Sequence, residues 1–369
     1  MNTQIDTFDI IIVYSGMKAK SAGNTSYTDS PPFPPKSKVG VYNDCYRYFL
    51  ERCKKKGLNA AFATSSDICG SGLFKSFWTY DNNTWHRHPH KAYTTMLFDK
   101  FTPKTSTQKE QMSTLTSSKK IYTFNKKILT KVFENKFNTY THFKKYAIPT
   151  AEITHGTEKA IMAAKKRLDA ILQKHPYRED FLNGYIIKNK TGSGGFNIHK
   201  VTFTKKGIAK IIDYHTKHIS YVLQPFLTCD TSFHFKKHRG TIDVRVITLN
   251  TKTLQSYIRV AQKGNFLANQ HQGGSSFYIS LRRIPQDVII MNTKIKKILE
   301  NTLDLSHSLY ALDYIRSNNG HLYLVEGNTN PGIYWEYDEI RSSKRKIKKL
   351  INTIVHEIKT LIQERKNTQ

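Results

Sequence analysis

Two apolar runs meet at Asn319-Gly320 in residues 310–333, YALDYIRSNNGHLYLVEGNTNPGI, and that dipeptide leaves the chain few choices. Asn-Gly suits a two-residue type I′ turn, in which both central residues take positive φ, so the runs predict an antiparallel hairpin. Counting outward from such a turn sets Asp313 opposite Glu326, with both carboxylates on one face. Asn328, two residues beyond Glu326, shares that face by the period of two. Like charges directly across a ladder repel, and a cation held between them relieves the repulsion. An all-oxygen set with positions left for water and phosphate suits Mg²⁺ or Mn²⁺ better than zinc. Asp313, Glu326 and Asn328 are therefore the candidate metal ligands, with an ordinary exposed hairpin as the alternative. On this reading, Asp313→Ala or Glu326→Ala stops turnover with little unfolding and relieves repulsion in the metal-free protein.

The 369 residues are enough for two or three domains with a substantial core, and 38% hydrophobic with 23% charged residues is a globular balance. No apolar run reaches the roughly 18 to 20 residues of a membrane span. Residues 8–14 follow an aspartate and lack a basic leader, so they read as a strand and not as a signal peptide, which gives the expectation of a cytoplasmic protein. Cys45, Cys53, Cys69 and Cys229 show no CxxC spacing and read as free thiols. The net charge of +30 suits either a polyanionic partner such as nucleic acid or a solvated lysine-rich surface. Its basic clusters, at 54–56, 236–239 and 341–349 among others, are scattered over the chain, which favours the surface. The sequence is silent on oligomeric state.

Residues 8–14, FDIIIVY, read as a buried strand, followed by a Gly-, Ser- and Pro-rich loop over 15–38, a position that often touches ligand in open α/β sheets. A helix over 42–56 stops at Gly57, and a strand at 59–64 completes a βαβ-like start. A hairpin is expected around Asp81-Asn82-Asn83 and a strand at 94–98. His86, His88 and His90 fall in a polar loop that no carboxylate or cysteine accompanies. From Lys127 the composition changes. A helical stretch over 127–146 ends before Ile148-Pro149-Thr150, where proline imposes extended backbone, and a second helix covers 159–174. Residues 184–201, GYIIKNKTGSGGFNIHKV, then predict a strand, a glycine turn and a returning strand. Gly192, Ser193, Gly194 and Gly195 allow backbone N–H groups to approach phosphate oxygens. A Walker loop needs a helix after its glycines and a Lys-Ser/Thr end, which this segment lacks, so a flexible hairpin loop also fits. Further strands are expected at 220–227, 241–250 (Asp243 and Arg245 on one face) and 254–260 (Arg259), then a loop at 269–274 and a helix at 291–303. The stripe Ile347, Leu350, Ile351, Ile354, Val355 and Ile358 predicts a terminal helix docked on the body.

In this order the pieces, from Lys131 to Trp335, resemble the ATP-grasp superfamily and most closely its glutathione synthetase-like branch of carboxylate-amine ligases. The resemblance implies a mixed α/β (α+β) fold. Residues 1–125 would form an N-terminal Rossmann-like pre-ATP-grasp domain, 126–228 a small lobe with a glycine lid, and 229–369 a large lobe with the metal site and the C-terminal helix. It implies ATP phosphate contacts from Lys136, in Glu134-Asn135-Lys136, and from Lys188 ahead of the lid formed by Gly192, Ser193, Gly194 and Gly195. Lys188-Asn189 departs from the usual Lys-Pro. Gln224, where Glu is commoner, would meet adenine together with Phe226 and Leu227. Asp230 would reach the ribose, though that match is poor, and 231–240 looks like an insertion. Arg245 and Arg259 correspond to the arginines beside the transferred phosphate and the acyl phosphate. Asn269 with Gly273-Gly274 leads to the metal site of Asp313, Glu326 and Asn328, and Pro331-Gly332 completes the pattern.

The implied activity is an ATP- and Mg²⁺-dependent ligase. A carboxylate attacks the γ-phosphorus to give an acyl phosphate, an amine displaces phosphate, and ADP and phosphate are released. The expected partners are small-molecule or peptide carboxylates and amines, which no pattern names. Lys188→Ala is expected to weaken ATP binding. Two other readings use the same residues: a kinase acting on an anionic small molecule, and a non-catalytic nucleic-acid binder on this scaffold. The complete metal triad and both lysines speak against the second of these. In the N-terminal region the 15–38 loop and the aromatics Phe74, Phe77, Trp78, Tyr80 and Trp85 are candidate specificity elements, with ordinary core packing the favoured reading for the aromatics.

Overall fold

The computed structural model describes residues 5–24, 31–103, 105–192, 194–215, 219–235, 238–269, 272–334 and 340–367. Ser193 and parts of the 15–38, 236–239 and 269–274 stretches fall outside the described residues. The chain divides into two compact units, one of residues Met1–Lys126, His307–Leu309 and Asn330–Gln369, the other of Lys127–Ser306 and Tyr310–Thr329. Among the described residues, no helix is long and apolar enough to cross a membrane.

The first unit is built on a six-stranded sheet in the order Tyr122–Thr123, Met96–Lys100, Ile10–Tyr14, Ala60–Thr64, Phe77–Asp81, Thr84–His88. Its first four strands run parallel and its last two are antiparallel additions. Ile10, Ile11, Ile12 and Val13 are all fully buried, as a continuous β-branched run in a parallel sheet covered on both faces requires. Helix Val41–Lys55 turns Phe49 onto Phe98 of that sheet. The terminal helix Ile340–Asn367 buries the predicted stripe, and Asn352 accepts from the Tyr48 hydroxyl at 3.0 Å. It therefore belongs to the first unit and not to a large lobe.

Two local expectations change here. His86 and His88 lie on strand Thr84–His88, not in a loop; His88 Nε2 meets Thr79 Oγ1 at 2.8 Å and His90 Nε2 meets Asp6 at 3.0 Å. The strand expected at 94–98 is two strands, Lys91–Thr94 and Met96–Lys100, in different sheets.

The second unit carries two antiparallel sheets. The lid sheet, ordered Ala151–Ile153, Tyr221–Pro225, Tyr185–Asn189, Ile198–Val201, packs on helices Glu158–Gln173 and Lys205–His215 through Ile161, Leu168, Ile187 and Leu223. The large sheet is ordered Ser275–Ile279, Lys252–Val260, Ile242–Leu249, Leu309–Arg316, Leu322–Asn328, and it packs on helix Gln286–Glu300 through Val244, Val288, Ile295 and Tyr314. The helical stretch expected at 127–146 breaks into Lys127–Phe133 and Lys136–His142. Asn135 is extended between them and its side chain caps Asn138 N–H, which places Lys136 at the start of the second helix.

The hairpin departs from its predicted turn, yet the predicted pair survives. Of the turn residues only Gly320 has positive φ (93°), Ser317 N–H donates to His321 O at 2.8 Å, and Gly320 N–H donates to Ser317 O at 3.0 Å. This is a three-residue loop, so Tyr314 pairs with Leu324 and not with Val325. A bulge at Val325 then makes up the missing residue and restores Asp313 opposite Glu326. The type I′ geometry occurs instead in the first unit, where Asn82 and Asn83 have φ of 46° and 61°. Glycine is obligatory at 327, because a Cβ there would stand 2.0 Å from the Phe133 ring.

Candidate active site

A cavity opens between the lid sheet and the large sheet of the second unit. Its apolar end is formed by Ile148, Ile186, Phe226, Leu227 and Ile315, and its polar end by Lys136, Lys188, Asp243, Arg259 and Glu326. Sheet alternation explains Lys188: it lies two residues from Ile186 on one strand and shares its face. On the large sheet, the bulge turns both Val325 and Glu326 toward the cavity.

The large sheet holds a closed chain of buried ion pairs. Arg245 Nε donates to Asp313 Oδ1 at 2.5 Å, and its Nη2 donates to the second oxygen. Arg259 Nε donates to Asp243 at 2.7 Å while its Nη2 reaches Asp313 at 2.6 Å. The Arg245 guanidinium is also 3.7 Å from Glu326. A cation does stand between the two opposed carboxylates, as their repulsion requires, and in this structure it is Arg245. Burial opposes charge on Asp313, but the two guanidiniums hold its carboxyl below the usual range. Burial raises Asp243, against the pull of Arg259. With Asp313 only 1% exposed and bonded to two arginines, its replacement by Ala takes from both buried cations the carboxylate they share. The expectation of little unfolding therefore does not hold for this residue.

Lys188 is the opposite case. It is 9% exposed and has no hydrogen-bond or ion-pair partner among the described residues. Burial, reinforced by the nearby Lys136, pushes its ammonium down to about 8. A buried cation without an anion, at the polar end of a cavity, is a site prepared for an anionic ligand. Lys136 donates to the lid carbonyl of Gly192 at 2.5 Å and lies 4.0 Å from Glu326.

The lid approaches the large sheet's loop closely. Gly194 and Gly195 have φ of 74° and 78°, and a Cβ on Gly195 would stand 2.9 Å from Asn269 Oδ1, so glycine is needed there. Of the remaining sequence candidates, Gly192, Phe226, Leu227 and Asn269 line the cavity. Gln224 lies on the cavity face of its strand, and Asn328, paired with Ala311, follows Glu326 on the same face. Asp230 stands apart: it accepts from Asn318 Nδ2 at 2.9 Å at the hairpin tip and does not line the cavity. Pro331 and Gly332 belong to the first unit. Sequence reading missed Phe266, which lines the cavity and carries no motif. Glu179, Asp180 and His321 also converge, but Asp180 is filled by protein donors, accepting from Asn319 at 2.7 Å, His321 at 3.0 Å and Tyr323 at 2.5 Å. That cluster anchors the hairpin tip.

Two antiparallel sheets that close on a cavity, one with a glycine turn and a lysine, the other with paired acids and arginines, define the ATP-grasp class of folds. The chain belongs to the RimK-like ATP-grasp family, whose domain model matches residues 151–354, more than half of the sequence. Similar sequences include probable α-L-glutamate ligases from Shewanella halifaxensis, 28% identical over 148 residues, and from Legionella pneumophila strain Paris, 29% identical over 148 residues. Each match covers 40% of this chain, and it spans 28% and 43%, respectively, of the relative's own length. Among solved structures, the D-cycloserine synthetase DcsG matches with a TM-score of 0.58 at 10% identity, covering 96% of this chain and all of that one. D-alanyl-alanine synthetase A from Vibrio cholerae matches at 0.56 and 13% identity, covering 97% and 99%. The ATP-grasp ligase PsnB, solved with a precursor variant, Mg and ADP, matches at 0.51 and 10% identity, covering 97% and 99%. These likenesses establish the fold.

Proposed function

We propose that this protein is an ATP-dependent carboxylate-amine ligase that forms an amide through an acyl phosphate and releases ADP and phosphate. The observation that carries the reading is Lys188, a buried cation without a partner among the described residues, facing the glycine turn's cavity with Glu326 and Arg259. Lys188 and Lys136 would neutralise the ATP phosphates, and the apolar end would take the base. The oxygen donors Glu326 and Asn328 fit a hard divalent ion, Mg²⁺ or Mn²⁺. Asp313 would join them only as its arginines turn toward phosphate. When bound, such an ion would neutralise negative charge on the nucleotide phosphates. Arg245 and Arg259 would offer forked N–H donors to the phosphoryl group as a substrate carboxylate oxygen bonds to phosphorus and the bond to ADP breaks. The amine nitrogen then bonds to the acyl carbon, phosphate departs and the amine gives up a proton. The lid, with Asn269 against Gly195, would keep water from the acyl phosphate.

The names of the related sequences make L-glutamate the first amine to offer, with small-molecule and peptide carboxylates as acceptors. A cytoplasmic setting suits a user of ATP whose four cysteines are free. Release of ADP, measured against carboxylates and amines presented in pairs, is expected only when both are present. A stable phosphorylated product formed without an amine would instead support a kinase. Binding of nucleic acid without ADP release would remove the ligase reading.

A further inference from the structure

Strand Ile198–Val201 is the edge strand of the lid sheet, and Lys200 pairs there with Ile186, whose side chain lines the cavity. Directly opposed residues share a face, so Lys200 projects on the cavity's side of the sheet. An exposed lysine usually extends its ammonium into water. Lys200 is exposed, yet its Nζ lies 3.8 Å from the centroid of the Phe226 ring and 5.1 Å from that of Phe266, within cation–π reach of both. The two rings meet edge to face at 5.4 Å, and both line the cavity. Phe226 directly follows the lid strand Tyr221–Pro225, whereas Phe266 lies between the large-sheet strands Lys252–Val260 and Ser275–Ile279. The ammonium therefore bridges the two sheets. The same segment carries Asn269, which Gly195 of the glycine turn approaches closely, so the lid hairpin meets it at two points.

Building on the reading of that cavity as a nucleotide site, we propose that Lys200 is a positioning residue: it clasps the lid sheet to the large sheet through Phe226 and Phe266 and lengthens the stay of a bound nucleotide. Lys200 acts through the two rings and not by touching the ligand. A nucleotide enters before the clasp shuts, so the strength of the clasp acts on departure and leaves the rate of arrival alone. A ligand filling the cavity keeps water from the inner side of the rings, and a cation–π contact gains strength as water leaves it. Occupancy and clasp thus favour each other, as linkage requires. A contact of Lys200 with Phe226 alone, inside the lid sheet, would leave the residence time unchanged.

Stopped-flow release of ADP carrying a fluorescent label on its ribose, measured on the full chain, reads the residence time directly. Lys200→Met keeps the length of the side chain and removes its charge. It is expected to raise the dissociation rate about two- to fivefold with the association rate unchanged. Lys200→Arg, whose guanidinium also stacks on aromatic faces, should keep the slow rate. In a Phe266→Leu background, where the bridge to the large sheet is gone, Lys200→Met should add nothing. Thermal melting confirms that each variant is folded. An unchanged dissociation rate in folded Lys200→Met, whatever the association rate does, overturns this inference alone. So does an equal increase in the Phe266→Leu background, which would mark a general effect of charge on the phosphates. A wild-type protein that binds no ADP overturns the nucleotide site, and the clasp together with it.

Discussion

The lid sheet and the large sheet face the same cavity, and each brings buried cations to it, but they bury charge by opposite means. On the large sheet Arg245 and Arg259 are matched by Asp313 and Asp243 within 2.5 to 2.7 Å. On the lid sheet Lys188 has no such match among the described residues, and burial disfavours its charge. The first arrangement is complete without a ligand and gives the site its shape. The second is incomplete and gains an anion only when one arrives. The contrast separates the residues that hold the site together from those that wait for substrate, and it assigns different consequences to substitutions that a motif list would treat alike.

The largest effect should come from Asp313. Asp313→Ala removes the carboxylate that two buried guanidiniums share, leaving Arg259 with Asp243 alone and Arg245 with only Glu326 at 3.7 Å, and is expected to destabilise the protein by about 3–5 kcal/mol in denaturant unfolding. Glu326 is 23% exposed in its side chain and 3.7 Å or more from its cations, so Glu326→Gln should change stability by less than about 1 kcal/mol. Equal stability of the two variants would break the distinction between a framework carboxylate and a ligand carboxylate.

Lys188 should respond with the opposite sign. Its ordinary value of 10.5 falls to about 8 in the fold because the buried site disfavours the charged form. At pH 7 it is charged in both folded and unfolded chains, and the folded state bears the desolvation. Lys188→Met should therefore stabilise the protein by roughly 1–3 kcal/mol at pH 7. The gain should shrink as pH rises from 8 towards 10.5, where the folded wild type sheds the proton first. ATP affinity should fall about tenfold or more in the same variant. A loss of stability would mean that Lys188 already has a partner.

Much of this was legible in the sequence, and the exceptions have physical causes. The flanking β-branched and aromatic runs and Asn319-Gly320 announced a hairpin, and period two placed Asp313, Glu326 and Asn328 together. The turn type was not legible. The three-residue loop and the Val325 bulge each shift register by one, and their effects cancel at Glu326. The arginine pairings were hidden because Asp243, Arg245, Arg259 and Asp313 lie on three strands, and no local spacing encodes which acid meets which base. The apolar stripe of the terminal helix stated that it docks, but a stripe does not name its partner. Asn135 lies in a tripeptide that resembles a phosphate-binding element, yet asparagine's preference for the helix N-cap also marks the break between the two helices.

A smaller and sharper difference concerns the divalent ion. Both oxygens of Asp313 are engaged by guanidiniums, so an ion arriving alone must break buried bonds, whereas nucleotide phosphates offer the arginines another anion. Protein-bound Mn²⁺, followed by electron paramagnetic resonance, should be weak without nucleotide and tighten by about tenfold with ADP. Equal binding in both conditions would show that the large sheet is not self-neutralised in solution.

The most delicate effect is counted in protons. At pH 8.5 the free protein carries Lys188 mostly neutral, because burial sets it at about 8. Phosphate oxygens placed beside it favour the charged form, so ATP binding should draw in a measurable fraction of a proton. Below pH 7 the lysine is already charged and the uptake vanishes, so the ATP association constant should be flat there and decline as pH rises through 8. Calorimetry in buffers of different ionisation enthalpy measures the transfer directly. Lys188→Arg should abolish it, since a guanidinium keeps its charge throughout this range. If the wild type took up no proton at pH 8.5, Lys188 would be fully charged in the free protein and stabilised by some neighbour. The two sheets would then bury charge in the same way.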